Sequence, residues 1–301
     1  MIHIDNKSNI RIEKSVRSGK VDLLRFAFAV VVALYHLGCT KAYNMPLMQT
    51  GYLSVEFFFL VTGYLMAKSL YGKQVVGSAE LCDSCIGFIK KKYAGFGYHY
   101  WTAVVMICVA WLPYYNYPLK KWLLKIFEGV PAFLHLQTFG FKTPAWLVPM
   151  WYLSAMLVSM LILTPILLKI PRLYSLYIAP VIAAFMLGFI YRYYGYFDVF
   201  SARWEGYINL GFLRAFAEIS IGCFCFYAVE SGIFKKTSEK MLSFVAVVLY
   251  IGIFLFMTGK YPYALQPLVI ICMVFCVAVT FANKNTFKFL NNKFVYFFRT
   301  T

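Results

Sequence analysis

The sequence predicts an all-α, polytopic integral membrane protein with about eight transmembrane helices and a cytoplasmic N-terminus. Of its 301 residues, 61% are apolar and 14% are charged, whereas apolar residues make up about half of a soluble protein. Uninterrupted apolar stretches of about 20 residues recur along the chain, and such a stretch can cross a bilayer. The 29 basic against 12 acidic residues are explained by Lys and Arg in cytoplasmic loops. The lipid bilayer is therefore an expected partner, and nucleic acid is not.

The apolar stretches follow one another in a single membrane domain, residues 1–301. A polar, basic tail (1–20) precedes the first stretch and is expected in the cytoplasm. In residues 116–143, Lys and Glu alternate with Trp and Phe, a pattern typical of a segment lying along the outer membrane interface. A basic, aromatic segment (284–301) ends the chain. The spans are predicted at Leu23–Cys39, Tyr52–Tyr71, Tyr100–Tyr115, Met150–Ile170, Tyr174–Tyr191, Leu210–Val229, Met241–Thr258 and Leu265–Phe281.

The distribution of basic residues predicts the orientation. Most of them lie in the N-terminal tail and in the segments that share its side of the membrane. Since Lys and Arg are enriched in cytoplasmic segments, the N-terminus is placed inside, and eight spans place the C-terminus inside as well. Pro46 and Gly51 are turn signals in the short outer loop between the first two spans.

The first span carries two ionisable residues on one face. Arg25 and His36 are eleven residues apart, and at about 100° per residue they point within about 20° of each other. Their separation along the helix axis is roughly 16 Å. Asp22 lies on nearly the same face. Ionisable groups inside a bilayer usually face a partner, a cavity or a pathway, so this face is the first candidate for chemistry.

Glu56 is the expected partner of His36. It starts the second span on the outer side, within reach of His36, and a histidine held by a carboxylate can act as a general base near neutral pH. The alternative is structural: His36 makes a packing contact, and Arg25 extends its side chain to the interface.

Three further cations are candidates for binding an anionic donor. Lys91 and Lys92 belong to a basic cluster before the third span, which could bind phosphates or only mark topology and contact lipid headgroups. Arg214 lies four residues before Glu218 in a span, where an ion pair is the default and a place in a donor tunnel is the alternative. No metal site is expected, because Cys82 and Cys85 form an isolated CxxC.

Four stretches carry a resemblance to a known family. They are the D-x-x-R…Y-H pattern of Asp22–His36, GYLSVEFFFLVTGYLMAKSL (Gly51–Leu70), PMWYLSAMLVSMLILTPIL (Pro149–Leu167) and LRAFAEISIGCFCF (Leu213–Phe226). In this order they resemble the helices of the acyltransferase-3 family of integral membrane acyltransferases. Lys92 stands at the first position of that family's basic R-x-x-R-type motif.

The resemblance implies a reaction and assigns roles to residues. His36 would be the catalytic residue and Arg25 an essential cation that serves acyl-CoA, with Glu56 as the orienting carboxylate. The implied activity moves an acyl group, in most members acetyl, from acyl-CoA to a hydroxyl of a cell-envelope or exported carbohydrate, as in polysaccharide O-acetylation. The implied location is the bacterial cytoplasmic (inner) membrane. Members commonly continue into a further pair of helices, so a C-terminal truncation relative to the family is expected.

Two alternatives remain open at this point. A multi-pass transporter or permease would show inverted repeats and helices broken at matching positions, and Pro165, Pro180 and Pro267 do not form such a pattern. An inactive, truncated family member would keep the architecture without the activity. Binding of acetyl-CoA would distinguish an enzyme from both.

Overall fold

Helices form almost all of the part of the chain that the structure, a computed structural model, describes: residues 18–39, 47–73, 75, 77–115, 118–141, 144–200, 203–283, 286–287 and 290–291. The predicted tail and C-terminal segment lie mostly outside these ranges. The helices are α1 (Gly19–Gly38), α2 (Ser54–Leu70), α3 (Ser78–Tyr115), α4 (Leu119–Glu128), α5 (Val130–Phe133), α6 (Trp151–Lys169), α7 (Pro171–Leu173), α8 (Ala179–Tyr194), α9 (Leu210–Glu230), α10 (Glu239–Thr258) and α11 (Gln266–Ala282).

Seven helical segments among the described residues are long and apolar enough to cross a membrane, which confirms the predicted polytopic helical bundle. The fifth of these, Pro171–Tyr194, joins α7 and α8 through a π-helical turn at Tyr174–Ile178. The third span predicted from the sequence, Tyr100–Tyr115, is the second half of α3. That helix is continuous from Ser78, because the amphipathic stretch before Tyr100 contains no proline to interrupt it.

Helices α2 and α9 form the centre of the bundle. Their segments are 67% and 72% buried, against 22% for α1. A Cβ atom added to Gly63 would lie 2.0 Å from the carbonyl oxygen of Ile219, and one added to Gly222 would lie 2.2 Å from that of Leu60. The two backbones therefore touch at these glycines, a contact that small residues allow between membrane helices. This contact sets the distance between side chains elsewhere on the two helices.

Helix α1 packs at the edge of this centre. Phe28 is fully buried and stacks on Phe57 of α2, with ring centroids 4.2 Å apart, and it also contacts Phe254 of α10 at 4.7 Å. At about 100° per residue, Arg25 and His36 point roughly 60–80° away from Phe28. The face of α1 that carries Arg25 and His36 is thus adjacent to the face that Phe28 buries against α2 and α10.

Part of the predicted interfacial segment (116–143) packs against neighbouring helices, while Leu134, Phe139 and Phe141 are exposed, and its position along the membrane interface stays a prediction. Helix α4 exposes Leu123 and Phe127, but beyond it His135 and Gln137 are 7% and 2% exposed. The hydroxyl of Ser154 on α6 donates to the carbonyl oxygen of His135 at 2.6 Å. Since α6 and α3 supply partners for its backbone, the segment can fold inward between them.

A short hairpin, β1 (Trp204–Glu205) and β2 (Ile208–Asn209), precedes α9. The side-chain oxygen of Asn209 accepts a hydrogen bond from the backbone N–H of Phe212 at 2.9 Å and so caps α9. The hairpin and its cap fix the start of the helix that carries Arg214.

Candidate functional site

A buried ion cluster joins α2 to α9. Arg214 is 1% exposed, and Glu56 and Glu218 are fully buried. The Nε and Nη2 groups of Arg214 both donate to Oε2 of Glu56, the first at 3.0 Å. Oε1 of Glu218 lies 3.6 Å from the same Nε. Two carboxylates therefore share one guanidinium, and Glu56 holds the closer contacts.

The same guanidinium binds two backbone carbonyls. Nη2 donates to the carbonyl oxygen of Tyr52 at 2.9 Å, and Nη1 donates to that of Val199 at 3.2 Å. These carbonyls belong to the turn before α2 and to the loop after α8. Arg214 consequently ties three parts of the chain together at one end of the bundle.

This arrangement corrects the expected pairing of Glu56 with His36. The described hydrogen bonds of Glu56 go to Arg214, and none reaches His36. The physical reason is burial, because a carboxylate without access to water requires a charged partner with several donors, and Arg214 provides one. The donor-binding role expected of Arg214 stays a prediction, and the described hydrogen bonds of its guanidinium are made within the protein.

Among the described residues, Asp198 is a carboxylate whose charge acts on His36. The hydroxyl of Tyr35 donates to Oδ2 of Asp198 at 3.0 Å, and the rings of Tyr35 and His36 are 5.3 Å apart. Reasoning from the sequence missed Asp198, although the orientation places the loop after span five on the same side of the membrane as His36.

The loop that carries Asp198 is held from two sides. Oε1 of Gln266 on α11 accepts from the backbone N–H of Phe197 at 3.0 Å, and Nε2 of Gln266 donates to the hydroxyl of Tyr52. Arg214 holds the next carbonyl, at Val199. The carboxylate is thus fixed in place, whereas His36 itself is exposed and open to a reactant.

A second group of charges lies nearer the other end of α1. The charge of Arg25 acts on both Lys92 of α3 and Tyr152 of α6, which places both groups within electrostatic range of Arg25. Lys92, before the predicted third span, is half-buried, and its Nζ lies 5.6 Å from the ring centroid of Phe88. Burial, and then the charges of Arg25 and Lys91, lower the pKa of Lys92. Cations that face one another in this way favour an anionic ligand.

His135 is a second residue that the sequence analysis did not single out. Tyr93, Phe96 and Tyr100 surround its ring at centroid distances of 5.6, 6.0 and 4.2 Å. Both of its ring nitrogens are buried and have no hydrogen-bond partner among the described residues, and burial lowers its pKa to about 4. Within the same part of the chain, the side-chain amide of Gln137 is also buried without a hydrogen-bond partner. His135 is therefore a neutral imidazole at physiological pH.

Comparison with known proteins gives one match. A family model described as an acyltransferase domain matches residues 19–298. No curated protein and no solved structure matches the chain. The matched range begins at the first residue of α1 and includes the ion cluster, Asp198, and both groups on the ionisable face of α1.

Proposed function

Because this chain belongs to the acyltransferase-3 family of membrane acyltransferases, we propose that it transfers an acetyl group from acetyl-CoA to a hydroxyl of a cell-envelope or exported carbohydrate. The family and the membrane-spanning helices support the general activity and its setting in a bilayer. The donor, the carbohydrate acceptor and the bacterial cytoplasmic membrane follow from the sequence resemblance.

The observation that carries this proposal is the placement of two groups of ionisable side chains along α1. The charge of Arg25 acts on Lys92 and Tyr152, and Asp198, whose charge acts on His36, binds the hydroxyl of Tyr35. About 16 Å separates the two positions along the axis. Cations suit the phosphates of CoA, and an exposed imidazole near a carboxylate suits the reacting thioester. A single helix thus presents a binding group and a reacting group to one extended donor.

The chemistry at His36 has two forms. As a base, its imidazole takes the proton of the acceptor hydroxyl while the oxygen attacks the thioester carbonyl. The carbon–sulfur bond then breaks, and the CoA thiolate leaves with the proton that His36 returns. As an acyl acceptor, the imidazole attacks the carbonyl first and CoA leaves as the thiolate. The acceptor hydroxyl then attacks the acyl-imidazolium, the carbon–nitrogen bond breaks, and the hydroxyl proton passes through the imidazole to the CoA thiolate. In both forms a positive charge develops on the ring, and Asp198 stabilises it.

Asp198 takes the orienting role that was expected of Glu56. Its carboxylate binds Tyr35, next to His36, and its loop is anchored by Gln266 and Arg214. In this proposal Glu56 and Arg214 do not contact the reactants, because their charges pair with each other in the buried ion cluster. Their contribution is to hold the Asp198 loop in position.

Binding of acetyl-CoA to the purified protein tests the donor site. Lys92→Gln is expected to weaken binding roughly fivefold to tenfold and to raise KM with little change in kcat, because one charge contact near a surface is worth about 1 kcal/mol or more. The matched control is Lys120→Gln, an exposed position on α4, which should change neither.

The same measurement separates the alternatives. Failure of the wild-type protein to bind acetyl-CoA would contradict the proposal and favour an inactive family member. Movement of a solute across vesicles with no acyl transfer would favour a transporter. Equal binding by the wild type and Lys92→Gln would remove Lys92 from the donor site.

A further inference from the structure

A cleft of about 310 Å³ opens on a different face of α1. Its walls come from α1, α10 and α11, and from the residues that follow α11. We propose that it binds one acyl chain of an anionic phospholipid, with the ammonium group of Lys20 contacting the phosphate. The cleft is lined by Leu23 and Leu24 of α1, Val247 and Tyr250 of α10, and Val279 of α11, with Lys20 at one end.

The polar side chains of the lining are already paired with one another. The hydroxyls of Tyr250 and Thr280 lie 3.2 Å apart. Nδ2 of Asn283 donates to Oγ of Ser243 at 2.8 Å and to the carbonyl oxygen of Glu239 at 3.0 Å. With these groups satisfied, the cleft offers an occupant mainly apolar surface. A hydrocarbon chain matches that surface, whereas a polar ligand would lose hydrogen bonds to water.

Exposed side chains form the mouth of the cleft, and buried side chains form its floor. Leu23 is 37% exposed and Val247 is 39% exposed, whereas Tyr250 and Ser243 at the floor are both 7% exposed. In a membrane-spanning bundle, exposed leucine and valine side chains face lipid tails. A lipid chain can therefore enter sideways from the bilayer.

Lys20 supplies the charge that selects the headgroup. It lies in the first turn of α1, and its Nζ donates to the backbone carbonyl of Asn283 at the end of α11. An ammonium has three N–H donors, so donors remain for a phosphate. A cation at the end of a membrane helix attracts anionic lipid.

The cleft is separate from the proposed reaction site. At about 100° per residue, Lys20 and Leu23 point roughly 140–160° away from Arg25 on α1. The acyl group of a donor bound at Arg25 and His36 would lie on another face of the helix. The inference therefore does not rest on the proposed function and can stand if that proposal fails.

Native mass spectrometry of the purified full chain with defined lipids tests the proposal. Phosphatidylglycerol is expected to bind about fivefold more tightly than phosphatidylcholine of the same chain length. One lysine near an anionic lipid contributes about 1 kcal/mol, which corresponds to that factor. Lys20→Gln should abolish that preference, and its control Lys236→Gln, at an exposed lysine outside the cleft, should keep it. Val247→Trp should fill the cleft and lower the occupancy of both lipids at least fivefold.

Val248→Trp is the matched control for the filled cleft. Val248 is 51% exposed on the same helix and does not line the cleft, so this variant should bind lipid as the wild type does. The proposal is overturned if Val247→Trp binds both lipids like Val248→Trp, or if the wild type binds the two lipids equally. It is also overturned if Lys20→Gln keeps the preference for phosphatidylglycerol.

Discussion

Replacing Arg214 by Met should be among the most damaging single changes in this protein. The change removes the guanidinium that pairs with Glu56 and leaves the carbonyls of Tyr52 and Val199 without their donor. Breaking a buried ion pair by removing one partner costs about 3–5 kcal/mol, and each buried acceptor left unpaired costs about 1–3 kcal/mol more. We therefore expect a loss of at least about 5 kcal/mol.

Thermal unfolding of the detergent-purified protein measures this loss. Arg214→Lys keeps the charge but lacks the planar fork of donors, so it should fall between the wild type and Arg214→Met. Arg192→Met, at an exposed position of α8, is the control and should stay within about 0.5 kcal/mol of the wild type. An Arg214→Met protein as stable as this control would contradict the stabilising role of the buried ion cluster.

The cluster also predicts an order between its two carboxylates. Glu56 is hydrogen-bonded to Arg214, whereas Glu218 lies 3.6 Å away and has no hydrogen bond from it. One guanidinium cannot neutralise two carboxylates, so Glu218→Gln removes charge in excess and should cost less stability than Glu56→Gln. The opposite order would contradict the described geometry.

Three further predictions concern the reaction site, the helix contact and pH. Asp198→Asn should lower acyl transfer roughly tenfold with unchanged protein level in membranes, since a nearby charge is worth about 1–4 kcal/mol; unchanged activity would exclude it from the mechanism. Gly63→Ala should destabilise the fold by about 1–3 kcal/mol in thermal unfolding, whereas Gly252→Ala, which has open space around it, should not; equal stability would contradict the close contact. Burial lowers the pKa of His135 to about 4, below the 6.5 of an unfolded chain, so stability should be intact above about pH 6.5 and fall as the pH drops towards 4. In His135→Phe this acid loss should shrink, and an unchanged loss would assign it to other groups.

The helical period was enough to place Arg25 and His36 correctly along one face of α1. Their spacing of eleven residues determines that face without any knowledge of neighbouring helices. Apolar length likewise predicted the spans, because a membrane helix must satisfy its backbone within itself. The helical period and the apolar length are each properties of one helix, so both can be derived without knowing how the helices pack.

Partners between helices could not be derived in the same way. Glu56 and Arg214 are 158 residues apart in sequence, and Tyr35 and Asp198 are 163 apart. Which of them meet depends on how α2, α9 and the loop after α8 pack, and the glycine contact at Gly63 decides part of that packing. Topology alone therefore led to Glu56 as the carboxylate near His36, whereas the structure bonds Glu56 to Arg214 and brings the charge of Asp198 to His36.

The burial of His135 and Gln137 after α4 could not be predicted for a related reason. An alternation of charged and aromatic residues is expected both at a membrane interface and in a segment that packs one face on its neighbours. The burial of the polar atoms of His135 and Gln137 depends on how α3 and α6 pack around them, which the sequence pattern does not contain. Nothing in the sequence around Ser154 indicates that its hydroxyl donates to the carbonyl oxygen of His135.

Acyl transfer by a His36→Ala variant tests the central claim most directly. Membranes that contain equal amounts of the wild type and the variant would be incubated with radiolabelled acetyl-CoA and a carbohydrate acceptor, and the labelled acceptor would be counted. Arg192→Met serves as a control that leaves α1 unchanged. The account predicts loss of transfer by at least about 10²-fold, the contribution expected of a general base or nucleophile. Full transfer by His36→Ala at normal protein level would contradict it.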